Sequence, residues 1–96
     1  MRPRRTDANH KAIVEQLRQR GIAVLDLHSL PGALDLLVGF RGVLSLIELK
    51  DGAKSPSRRR VTDAEQTTIA RFRAVGCPVI VAATLEALLS AIGVEG

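Results

Sequence analysis

The stretch ALDLLVGFRGVLSLIELKDG, residues 33–52, holds two apolar runs separated by Phe40-Arg41-Gly42. A connection this short, ending in Gly, suits a hairpin, so the runs read as antiparallel strands over 35–39 and 43–50. Alternate residues of a strand share a face. Leu44, Leu46, Glu48 and Lys50 therefore point one way, and Val43, Ser45, Ile47 and Leu49 the other. Antiparallel pairing brings Asp35, at the start of one strand, toward Glu48 and Lys50, at the end of its partner. Two buried carboxylates repel each other unless a cation sits between them. Hard oxygen ligands of this kind suit Mg²⁺ or Mn²⁺, which keep several waters and accept phosphate oxygens. Lys50 is then placed to orient a water and to offset charge growing on a phosphate, the outline of metal-assisted phosphodiester hydrolysis. The same residues have a plainer reading, in which a strand end emerges into solvent and Glu48 and Lys50 form a modest ion pair. The pattern by itself leaves both open.

The flanks supply the rest of an α/β unit. Residues 1–6 read as a basic arm carrying Arg2, Arg4 and Arg5. Asp7 is a candidate N-cap for a helix over 8–20 that Gly21 ends. Ile13, Val14 and Leu17 form its apolar stripe, His10 lies on the same side, and Glu15 points to solvent. A first strand runs over 22–28, ending at His28, and Pro31-Gly32 marks a turn. After the hairpin, residues 51–60 form a loop with Lys54, Arg58, Arg59 and Arg60 and no acid from Gly52 onward. Thr62-Asp63-Ala64-Glu65 is a capping box opening a helix that runs to about Val75. A buried-type strand over 78–82 follows, then a helix over 85–92 capped by Thr84 and stopped by Gly93. The order is α-β-β-β-α-β-α, in one domain spanning 1–96 with no internal repeat. Asp51 alternates away from Glu48, and Asp26 has no assignable role. Arg71 and Arg73 read as an exposed helix face, and Cys77 as a packed, inert thiol.

Composition narrows the function classes. The chain has 96 residues, 46% of them apolar and 25% charged, a globular balance. Its formal net charge is +4, and its pI of about 10.2 is compatible with a polyanionic partner. Eleven of its fourteen cations are Arg, the residue suited to forked phosphate contacts. With two Phe and no Trp or Tyr, it cannot build a stacking platform for single strands. One Cys excludes an internal disulfide, and no apolar run approaches the length of a membrane span. The expectation is a soluble, cytoplasmic protein.

GALDLLVG, LIELKDG and RRRVTDAEQ, taken in that order, resemble the PD-(D/E)xK nuclease superfamily. Within it the chain is similar to small VRR-NUC or Holliday-junction-resolvase-like proteins of phages and bacteria. The resemblance runs from the first helix to the last strand. It implies a restriction-endonuclease-like fold, a small mixed β-sheet flanked by helices. It also implies a Mg²⁺- or Mn²⁺-dependent endonuclease that cuts DNA, duplex or branched, leaving a 5′-phosphate and a 3′-hydroxyl. Asp35 and Glu48 would be metal ligands, the Leu49 backbone carbonyl would complete their set, and Lys50 would be the catalytic lysine. Gln66 matches a Gln near the scissile phosphate. Apart from the resemblance, Lys54, Arg58, Arg59 and Arg60 read either as a grip on neighbouring phosphates or as a solvated, mobile basic loop, and the absence of compensating acids favours the grip. Resolvase-like relatives act as homodimers, which expects the same here. Leu34 stands where the superfamily carries Pro, and His10 where many relatives carry a Glu facing the metal. His10 is then either a further ligand or a satisfied half-buried histidine. These two departures motivate the alternative expectation, a nuclease-fold module that binds nucleic acid without cleaving it.

Overall fold

A computed structural model of the chain describes residues 8–27, 29–50 and 61–94. Its elements are α1 (Ala8–Gln19), β1 (Ala23–Asp26), β2 (Leu36–Phe40), β3 (Val43–Leu49), α2 (Asp63–Ala74), β4 (Val79–Ala82) and α3 (Leu85–Ile92). They form one four-stranded sheet ordered β1-β2-β3-β4. The first two pairings are antiparallel and β3 with β4 is parallel. This mixed sheet, flanked by helices, is the expected architecture in the expected order. The arm, Asp7, His28, Asp51 and the basic residues Lys54, Arg58, Arg59 and Arg60 lie outside the described residues.

The β2–β3 hairpin positions the site. Its register pairs Leu36 with Ile47 and Phe40 with Val43, leaving Arg41 and Gly42 as a two-residue turn. Both have positive φ, 52° and 80°, as a type I′ turn requires. The strand expected over 35–39 is thus shifted by one residue, because this turn needs only two residues and Phe40 joins the ladder.

The sheet buries two unequal faces. Leu36, Val38, Ile47 and Ala82 face Ile13, Val14 and Leu17 of α1 and Leu88 of α3. The other face presents Leu46 and Val79 to Ile69 of α2, together with Leu34. Six of the apolar side chains are sealed from solvent, Leu17, Leu34, Leu36, Val38, Ile47 and Leu88. Each stabilises the fold by about 1.5–3 kcal/mol relative to exposure.

Chain reversals follow local chemistry. α1 closes with bonds from Gly21 N–H to the Arg18 carbonyl and from Ile22 N–H to the Leu17 carbonyl. Ile22 therefore turns into the core, and β1 starts one residue later than expected. β1 is an edge strand whose Val24 carbonyl points away from β2, and an Arg18 Nη2–H covers it at 3.1 Å. Thr62 and Glu65 form the full capping box of α2, and Thr84 and Gly93 bound α3 as read from sequence. Two expectations need correction. Cys77 is exposed rather than packed, because it lies in the turn between α2 and β4, where neither core reaches it. Arg73 is not simply part of a solvated face, since its guanidinium donates to the Val79 carbonyl at 2.9 Å and ties α2 to β4. Among the described residues no helix is long and apolar enough to cross a membrane.

Candidate active site

Asp35 sits in the bend that leads into β2 and joins three strand ends. Its backbone carbonyl accepts the Leu27 N–H beyond β1 at 2.8 Å. Its Oδ2 accepts the Leu49 N–H of β3 at 2.7 Å. Lys50 N–H donates to the Ala82 carbonyl at 2.8 Å, which extends the β3–β4 pairing past its last strand residue. Backbone bonds thus hold both segments that carry the site.

Glu48 lies on the α2 face, paired in register with Val81, and its side chain is 4% exposed. Lys50 Nζ is 3.0 Å from Glu48 Oε2. Glu48 Oε1 is buried with no hydrogen-bond partner among the described residues. A second carboxylate reaches the same ammonium, as Glu65 Oε1 lies 3.8 Å from Lys50 Nζ. Asp35, Glu48, Lys50 and Glu65 thus come together where β2, β3 and α2 meet.

The electrostatics follow from the burial. Removal from water, and then the Asp35 charge, push the Glu48 carboxyl up to about 8, against the pull of the Lys50 bond. Glu65 goes the other way. Burial works to raise it, but the Thr62 N–H, the neighbouring Glu48 carboxyl and the Lys50 charge together hold it below the ordinary carboxylate range. Among the described residues, the Lys50 ammonium meets Glu48 and Glu65, and the Asp35 charge stands close enough to act on Glu48, so acidic groups outnumber cations around the buried Glu48 Oε1. That donor set fits a hard divalent cation carrying its own waters. Among the described residues no group of three His, Cys, Asp or Glu is close enough to enclose a metal by itself.

Other expected residues fall elsewhere. Gln66 is exposed in the first turn of α2, and its Nε2–H donates to the Val61 carbonyl at 3.3 Å. His10 is buried on α1, with Nε2 3.1 Å from Oδ2 of Asp26 on β1. That pair belongs to the α1 face of the sheet, whereas Glu48 belongs to the α2 face. It borders an open cleft of about 610 Å³ along α1. Among the described residues that cleft holds no buried polar atom left without a partner. The orphaned oxygen and the carboxylate surplus point to Glu48 instead.

Among solved structures, the chain is similar to one described as a VRR_NUC domain. The match has a TM-score of 0.61 and 29% identity, over 85% of this chain and 87% of that one. The fold is a VRR_NUC-type nuclease fold. No family model and no curated protein matches the sequence. The VRR_NUC likeness supports a nuclease domain and agrees with the restriction-endonuclease-like architecture. Within this VRR_NUC-type fold two neighbours of the expected residues were not legible in advance. Glu65 was explained fully by its capping role, and only the β3–α2 packing brings it to Lys50. Asp26 gave no signal because its partner, His10, is sixteen residues away on another element.

Proposed function

We infer that the chain is a Mg²⁺- or Mn²⁺-dependent endonuclease acting on DNA. The observation that carries this reading is the buried Glu48 carboxylate, with one oxygen on Lys50 and the other without a hydrogen-bond partner among the described residues, beside Asp35 in a VRR_NUC-type fold. Asp35 and Glu48 would hold the cation, with the Leu49 carbonyl as a backbone donor. When bound, the cation supplies a Lewis acid for the phosphate and lowers the pKa of a water. The Leu49 N–H fixes one Asp35 oxygen and leaves the other for the cation. Lys50 orients the attacking water and donates to the phosphate oxygen on which charge grows. Gln66, exposed in the first turn of α2, would contact DNA beside the scissile phosphate. Lys54, Arg58, Arg59 and Arg60 give the adjoining backbone its cationic partners. A homodimer would present two sites to two strands, which suits branched DNA. Engagement of His10 by Asp26 favours a second reading, in which the fold binds nucleic acid without cutting it.

The test is a cleavage panel of junction, flap, duplex and single-stranded DNA with Mg²⁺ and Mn²⁺. Asp35→Asn and Lys50→Ala should each lower the rate by about a hundredfold or more, and Asp35→Asn should also abolish Mn²⁺ binding. Parent-level cleavage by Lys50→Ala would remove the assignment. DNA affinity without metal binding would establish the second reading.

A further inference from the structure

Glu65 has two tasks, and only one needs a charge. Its Oε1 accepts the Thr62 N–H at 2.9 Å, closing the cap of α2. A Gln at this position closes a capping box equally well, so the cap does not explain the carboxylate. The same oxygen lies 3.8 Å from Lys50 Nζ, with side chains 14% and 15% exposed, so this is no surface encounter. Lys50 therefore stands between two carboxylates, at 3.0 Å from Glu48 and 3.8 Å from Glu65. A divalent cation held at the Glu48 Oε1 would repel the ammonium that sits on Oε2 of the same carboxylate. Lysine carries its charge on a flexible four-carbon stem, so it can yield without losing register. Among the described residues, the Glu65 carboxylate, already pinned by a helix cap, is within reach of it.

We propose that Glu65 is a positioning residue, a second station that takes up the Lys50 ammonium when a divalent cation takes Glu48. This rests on the nuclease reading above. Glu65 touches neither cation nor DNA. It keeps Lys50 over the site instead of letting it swing into solvent, and it lowers the cost of clearing Glu48.

The test is a double-mutant cycle read by Mn²⁺ titration of the whole chain, using parent, Glu65→Gln, Lys50→Ala and the double variant. Glu65→Gln keeps the cap, so its melting temperature should stay within a few degrees of the parent's. In the parent background it should weaken Mn²⁺ binding on the order of tenfold. In the Lys50→Ala background it should change binding less than about twofold. Equal weakening in both backgrounds would mean that Glu65 acts on the cation directly, and no weakening in the parent background would mean that it has no part. Either result overturns the proposal while leaving the nuclease reading intact. If the parent binds no Mn²⁺, or Asp35→Asn binds it equally well, the nuclease reading fails and the proposal falls with it.

Discussion

Glu48 is costly in the metal-free chain, and the cost has a pH signature. Its carboxyl titrates near 8 when folded and near 4.5 when unfolded. Between those values the folded chain holds the extra proton, so stability falls as pH rises from about 4.5 to about 8. Each unit of displacement is worth about 1.4 kcal/mol. Thermal unfolding of the metal-free chain should therefore show a melting temperature that drops from pH 5 to pH 8. Glu48→Gln should flatten that slope, and millimolar Mn²⁺ should restore stability most at pH 8, where the carboxylate is free to bind it. A parent curve flat over this range would show that Glu48 is solvated. The charges themselves were legible, since the E-x-K spacing and the strand period put Glu48 and Lys50 on one side. Asp35 was legible as a neighbour, but its bond to the Leu49 N–H was not. That contact needs the bend before β2, which the alternation of a regular strand does not contain.

The hairpin and the helix caps carry the local information best. Capping residues act within one turn of themselves, so the Thr62–Glu65 box and the Thr84 and Gly93 bounds of α3 could be placed from sequence alone. Strand limits depend on partners, and those of β1 and β2 moved by one or more residues for that reason. At the β2–β3 turn Gly42 has φ +80°, and no atom of the described residues lies near the place of a Cβ. Gly42→Ala therefore meets no clash and isolates the left-handed backbone penalty, about 1–2 kcal/mol. For a domain of this size each kcal/mol should lower the melting temperature by about 4–8 °C. Because the turn sets the register that brings Asp35 to β3, cleavage should fall in parallel with the folded fraction and no further. Arg41, also at positive φ, lies over the Phe40 ring at 5.0 Å, a contact that helps offset its own strained backbone.

Taken together, the described residues form a mixed sheet with one largely buried charged cluster where β2, β3 and α2 meet. The order of elements and the apolar stripe of α1 were visible in advance because both rest on periodicity. The division of the sheet into an α1–α3 face and an α2 face was not, since it depends on which helix crosses which side. Net charge tests the polyanion reading. Binding of duplex DNA should weaken steeply with salt, and neutralising Arg58, Arg59 and Arg60 together should reduce the log–log slope by about one per lost phosphate contact. An unchanged slope would assign those arginines to solvent.

The guanidinium laid across the Val24 carbonyl bears on how copies of this chain meet. A strand at the rim of a sheet is an open template, and neighbouring molecules can zip onto it into ribbons. With that carbonyl already engaged, an incoming backbone finds a cation where it needs an acceptor. Pairing of two copies through β1 is thereby steered away from continuing the sheet and toward contacts between side chains.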